Sequence, residues 1–205
     1  MRGRSLRKRG LDGMRQIGFD SFMGLPPEAA KEGWEPGRYA STMGATRHYL
    51  KEHGVDLEQV TLVKGWFRDT LNERTRAQFG IEKASVIMLD CDIYVATKEA
   101  LAFALPLVRE QAVLIFDDWG WRSDLDRIGQ REAYEECVIA PGLFTAEPLP
   151  GYIPQSRLFL ITRHSACSSK VAEPAPGVSA RATPDWDERF KVAGVELPDP
   201  SRNDC

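Results

Sequence analysis

The chain has 205 residues, 42% apolar and 28% charged, with 17 glycines and 13 prolines, which suits one domain with a sizeable core and excludes collagen-like and coiled-coil architectures. Its formal charge of -3 gives no global signal for a polyanionic partner. Positive charge is local: Arg2, Arg4, Arg7, Lys8 and Arg9 crowd the start of the chain and leave an acidic body.

Gln16 to Asp20 reads as a short strand ending in an acid, followed by a turn through Phe22-Met23-Gly24-Leu25-Pro26-Pro27. Ala29 to Ser41, rich in Gly, Pro and Trp, reads as a lid-like loop. Met43 to His53 then carries a helical period through Met43, Thr46, Tyr49 and Leu50, which Gly54 stops. Val60, Leu62 and Val63 predict a second strand that runs into Lys64-Gly65-Trp66-Phe67, with a helix from Asp69 to Phe79 closed by Gly80. Ser85 to Leu89 is a continuous apolar run, the pattern of a parallel strand buried on both faces. A helix is predicted from Thr97 to Val108, and Ala112 to Phe116 is another buried strand. A helix near Gly129 to Ile139 leads to Phe144–Glu147 and Leu158–Thr162, expected to pair as an antiparallel hairpin.

The order βαβαβαββ implies one α/β domain over residues 16–164. Residues 1–15 are expected to be a basic flexible leader, and residues 165–205, which hold five of the thirteen prolines, a largely disordered tail. No run of about 18 apolar residues suggests a membrane span, and the leader lacks the apolar stretch of a secretory signal, so a cytoplasmic location is expected. The leader also lacks interleaved aromatics, so no nucleic-acid partner is expected. Cys91, Cys137, Cys167 and Cys205 form no C-x-x-C pair, and His48, His53 and His164 are scattered, which argues against a thiolate zinc site or a disulfide framework.

The chemistry concentrates where two successive apolar strands end in carboxylates, Asp90 with Asp92 and Asp117 with Asp118. Parallel pairing brings such ends together, where open α/β sheets bind ligands, and clustered carboxylates repel one another unless a cation neutralises them. Oxygen-rich ligand sets suit Mg²⁺, Mn²⁺ or Ca²⁺. The alternative, acids that solvate loops or cap helices, stays open, above all for Asp92, Asp124 and Asp126. Asp20 is placed either to accept hydrogen bonds from ribose hydroxyls or to close a turn. Trp34, Trp66, Phe67, Tyr94, Trp119 and Trp121 fall near the strand ends, as packing or as ligand-stacking groups.

Four segments, Phe19-Asp20-Ser21-Phe22-Met23-Gly24-Leu25-Pro26, Gly65-Trp66-Phe67-Arg68-Asp69-Thr70-Leu71, Leu89-Asp90-Cys91-Asp92-Ile93-Tyr94 and Phe116-Asp117-Asp118-Trp119, resemble the motifs of the macrocin O-methyltransferase (TylF/MycF-like) family, in that family's order. The resemblance covers Gln16 to Arg163, and Gly129, Arg131 and Ala133 extend it. It implies a Rossmann-like class I methyltransferase fold, a three-layer α/β sandwich, that uses S-adenosylmethionine and Mg²⁺ to methylate a hydroxyl of a small molecule such as a sugar or natural product. By that likeness Asp20, Ser21, Gly65, Trp66, Phe67 and Asp90 bind the cofactor, and Asp90, Asp117 and Asp118 hold the metal. Asp90 is the base, with Asp92 as its rival, and Glu28 to Thr42 forms a mobile lid on the acceptor side.

Two features depart from the family pattern. Val95-Ala96-Thr97 stands where Glu-Ser-Thr is usual, and no strand with a glycine-rich loop precedes Gln16, so the domain is expected to lack its first strand and helix. An exposed sheet edge of that kind would favour a homo-oligomer. Because clustered carboxylates alone do not specify methyl transfer, an inactive binding protein and a metal-dependent hydrolase are the alternative functions.

Overall fold

The computed structural model describes residues 14–119 and 129–164. All of the leader but Met14 and Arg15, the whole tail, and Trp121, Asp124 and Asp126 lie outside them. Among the described residues, six strands form two sheets. The strands β1 (Gln16–Asp20) and β2 (Val60–Lys64) pair in parallel, with Asp20 opposite Lys64. A four-stranded sheet contains β3 (Val86–Leu89), β4 (Gln111–Phe116), β5 (Phe144–Leu149) and β6 (Arg157–Arg163) in the order β3-β4-β6-β5. Here β3 and β4 run parallel, whereas β6 enters antiparallel between β4 and β5, the expected hairpin. Among the described residues no strand joins β1 to β3.

Helices fill the connections where the sequence supplies caps. Thr42 accepts the Ala45 N–H at 3.1 Å and starts α1 (Met43–Glu52), whose residues are none of them buried. The single helix expected from Asp69 to Phe79 is instead two, α2 (Phe67–Thr70) and α3 (Glu73–Phe79). The cause is local: Asn72 accepts the Thr75 N–H at 3.0 Å, so its extended backbone caps a new helix rather than continuing the old one. The next helix, α4 (Tyr94–Ala104), begins three residues before the expected Thr97 and ends in a 3₁₀ turn, Leu105–Leu107. A short α5 (Gln130–Tyr134) runs into a π-helical turn, Glu135–Ile139.

The main core lies between the four-stranded sheet and α4 and α5. It centres on the fully buried Leu101, Leu114, Phe116, Tyr134, Phe159 and Ile161. Tyr134 stacks on Phe159 with ring centroids 4.5 Å apart, and Phe116 meets both edge-on. Trp119, which the sequence left open as a ligand-stacking group, is 7% exposed and packs into this cluster against Phe116 at 5.2 Å. The two-stranded sheet is tied on through Phe19 of β1, whose ring meets Phe103 of α4 at 5.3 Å.

One expectation about β3 is corrected. Ile87 and Leu89 are buried, but Val86 and Met88 are 50% and 55% exposed. Among the described residues β3 pairs only with β4, and its Val86/Met88 face carries no layer that buries it. The strand is therefore one-sided. Leu114→Ala, which opens a cavity in the core, should lower the unfolding free energy by about 2–5 kcal/mol, while Met88→Ala should cost about 0.5 kcal/mol or less. Urea unfolding midpoints check this, and equal losses would contradict one-sided burial.

Candidate functional site

The pairing of β3 with β4 sets Leu89 opposite Phe116, so Asp90 and Asp117 leave the sheet side by side. Three hydrogen bonds hold the strand ends in that register beyond the ladder. The Asp117 N–H donates to Leu89 O at 3.0 Å. Gln130, only 1% exposed, accepts the Asp118 N–H at 3.1 Å and donates its amide to Leu89 O at 3.2 Å. Sequence reading passed over Gln130 because a polar residue at the start of a helix gives no sign of where its amide points. As a result, carboxylate oxygens of Asp90, Asp117 and Asp118 all lie within 4.8 Å of one another.

Such proximity is costly for anions. Burial and then the charges of Asp92, Asp90 and Asp117 push the Asp118 carboxyl up to about 7. Burial and then Asp90 raise Asp92 to about 6, against the pull of the Arg38 guanidinium. Asp90 is exposed as a whole residue, yet burial of its carboxyl, with the charges of Asp117 and Asp20, raises it too. One oxygen of Asp118, Oδ2, is buried without a hydrogen-bond partner. A hard divalent cation held between these carboxylates would offset the repulsion, and short oxygen donors suit it, so the donor set fits Mg²⁺.

The loop from β3 to α4 displays the acids through a tight turn in which the Ile93 N–H reaches Cys91 O at 2.5 Å, with Asp92 at φ 57°. That left-handed backbone is a strained choice for a residue other than glycine, of the kind that concentrates at functional sites. The turn leaves α4 without a cap of its own, and Glu32, 62 residues earlier, supplies one. Its carboxylate accepts the Tyr94 N–H at 2.7 Å and the Val95 N–H at 3.1 Å. Glu32 was not singled out in the sequence, because capping from a remote segment leaves no local pattern. Val95-Ala96-Thr97 forms the first turn of α4, where Thr97 is fully buried and donates to Ile93 O at 2.8 Å. Burial pushes the Cys91 thiol up to about 12, so it holds its proton at neutral pH.

Glu32 belongs to the segment expected to be a mobile lid, and the first half of that segment is packed down. Pro27–Glu32 is a 3₁₀ helix, and Ala29 and Trp34 are buried with Leu25, Ile93 and Ala96 in a second cluster. Arg68 bonds Glu28 at 2.6 Å. Gly24, at φ 78°, lies under this strap: an added Cβ would come within 2.3 Å of Gly37 O, which explains a glycine in the Phe-Met-Gly-Leu-Pro motif. Trp34 is thus a core residue, and Phe67 packs against the same cluster.

Of the expected cofactor residues, Asp20, Ser21, Gly65, Trp66 and Phe67 lie at the ends of β1 and β2, where the Gly65 N–H donates to Asp20 O at 2.9 Å, whereas Asp90 follows β3. The Asp20 carboxylate uses one oxygen to accept the Phe22 N–H at 2.6 Å. At Gly65, φ 148°, an added Cβ would meet the Thr70 side chain at 2.7 Å, so the chain bends too tightly there for any other residue. Trp66 is half-buried, with the Arg68 guanidinium 5.9 Å from its ring centre. The hydroxyl of Ser21 is spent within its own turn, where it donates to Gly24 O and accepts the Met23 N–H, each at 3.0 Å. His48 and His53 stay on the surface of α1: His48 pairs with Glu52, and His53 bonds Tyr49 O at 2.8 Å. No described helix is long and apolar enough to cross a membrane.

Comparison with known proteins fits this geometry. The solved structure of the O-methyltransferase NovP matches with a TM-score of 0.59 at 21% identity, over 77% of this chain and 64% of that one. The calicheamicin methyltransferase CalS11 matches with a TM-score of 0.51 at 26% identity, over 71% of this chain and 59% of that one. This chain therefore spans less than two thirds of the length of either structure. The fold is the Rossmann-like α/β fold of class I methyltransferases, with a mixed sheet and flanking helices. The macrocin-O-methyltransferase (TylF) profile matches residues 1–136, and the chain belongs to that family. No curated protein sequence matches it.

The raised carboxyls give the protein a pH signature. The unfolded chain loses these protons near pH 4, from the ordinary aspartate value of 3.8, whereas the native state keeps them until about 6 at Asp92 and about 7 at Asp118. The native state binds more protons between those limits, so the cluster's contribution to stability falls as pH rises through that window. In chelator, the melting temperature of the wild type relative to Asp118→Asn should decline from about pH 4 to about pH 7. A wild-type advantage that grows with pH would contradict this account.

Proposed function

We propose that this chain carries the core of an S-adenosylmethionine-dependent O-methyltransferase that acts, with Mg²⁺, on a hydroxyl of a small molecule such as a sugar or natural product. Membership of the macrocin-O-methyltransferase family supports the reaction class, and the similarity to a methyltransferase described by calicheamicin supports a natural-product acceptor. The observation that carries the reading is the convergence of Asp90, Asp117 and Asp118 at the ends of adjacent parallel strands.

In this reading Asp90, Asp117 and Asp118 hold the cation. Asp20 accepts the ribose hydroxyls of the cofactor, and the tight bend at Gly65 with the Trp66 and Phe67 side chains borders its adenine. Ser21 contributes by shaping the turn beside Asp20. Bound Mg²⁺ lowers the pKa of a hydroxyl that it coordinates. Proton removal falls better to Asp92 than to Asp90. Asp92 stands outside the converging triad, so its carboxylate is not committed to the cation and is free to take the proton. Arg38, whose guanidinium lies 5.8 Å from the Trp34 ring and 4.9 Å from the Tyr39 ring, keeps that carboxyl from rising further.

Mg²⁺ should raise the melting temperature of the purified chain, and the shift should vanish in the Asp117→Ala, Asp118→Ala double variant. An undiminished shift in that variant would place the ion elsewhere. Asp92→Asn should keep the Mg²⁺-induced shift but slow methyl transfer from labelled S-adenosylmethionine to a hydroxyl-bearing glycoside by about 100-fold or more. A normal rate would remove Asp92 from the proton transfer.

A further inference from the structure

The β5–β6 hairpin loop brings an additional group to the carboxylates. We propose that Tyr152 is a positioning residue of the cation site: its hydroxyl donates a hydrogen bond to Oδ1 of Asp117 and fixes the orientation of that carboxylate. The inference rests on the Mg²⁺ reading of the site given above.

The loop is built to hold Tyr152 where it stands. Ser156 is fully buried, and its Oγ accepts the Tyr152 and Ile153 N–H groups at 3.3 Å each while donating to Ile153 O at 3.0 Å. Gly151 lets the two arms of the turn close, since an added Cβ there would lie 3.0 Å from Ser156 O. A buried serine thus fixes the backbone from which the tyrosine projects. Tyr152 is 52% exposed as a residue, so hydrophobic burial does not account for its placement, whereas the contact with Asp117 does.

A carboxylate has two oxygens and can swing about its last bond. The phenol holds one oxygen and stops that rotation, which fixes the carboxylate relative to Asp90 and Asp118. Hydrogen bonds that orient ligating carboxylates typically account for about 10–100-fold in metal affinity.

The test is a Mg²⁺ titration of thermal stability. In Tyr152→Phe, which removes only the hydroxyl, the metal-free melting temperature should stay as in the wild type, the full shift should be reached at saturation, and the half-saturating Mg²⁺ concentration should rise about 10-fold. A role confined to loop packing would lower the metal-free melting temperature without moving the half-saturating concentration, and would overturn the proposal. So would an unchanged or lower half-saturating concentration with a normal metal-free melt, the lower value because it would make the hydroxyl a competitor of the cation. A Mg²⁺ response that survives in the Asp117→Ala, Asp118→Ala variant would instead sink the cation site itself, and the role of Tyr152 with it.

Discussion

The parallel register of β3 on β4 is the constraint from which the candidate site follows. Leu89 opposite Phe116 makes the next residue on each strand an aspartate, and a shift by one position would send one of the two to the other side of the sheet. The structure invests in that register. Gln130 bridges the Asp118 N–H and Leu89 O from a buried position, and beneath it Phe116, Trp119, Tyr134 and Phe159 form a close aromatic cluster. Rigid packing below and crowded carboxylates above are two sides of one design, because mobile carboxylates would simply move apart.

How much of this was legible in the sequence depends on whether the signal was local. The strand β1 is found at its expected residues, Gln16 to Asp20, and the acids at the ends of β3 and β4 were visible because apolar runs stop abruptly at charged residues. The hairpin was readable from two short runs around a Pro/Gly loop. Local competition explains the break at Leu71–Asn72, where a good capping residue outweighs a continuous helical pattern. The one-sidedness of β3 was hidden for the opposite reason: Val86 and Met88 are as apolar as Ile87 and Leu89, and hydrophobicity does not say which face finds a partner.

The site shows the same division. Asp90, Asp117 and Asp118 were found by composition and position, and the structure brings them together. Glu32, Gln130 and Tyr152, the groups that cap, bridge and orient around them, come from elements 62, 12 and 35 residues away from the groups they bond. No periodicity encodes such contacts. Trp34 and Trp119 stayed ambiguous for another reason, since aromatic residues beside a strand end suit ligand stacking and core packing equally well until burial is known.

Glu32 links two parts of the molecule that the chain keeps far apart. Its carboxylate spans the first N–H groups of α4, so the strap of residues 27–34 is hydrogen-bonded to the helix start that directly follows the turn carrying Asp92. Whatever shifts the strap must either break that clasp or drag the helix start along with it.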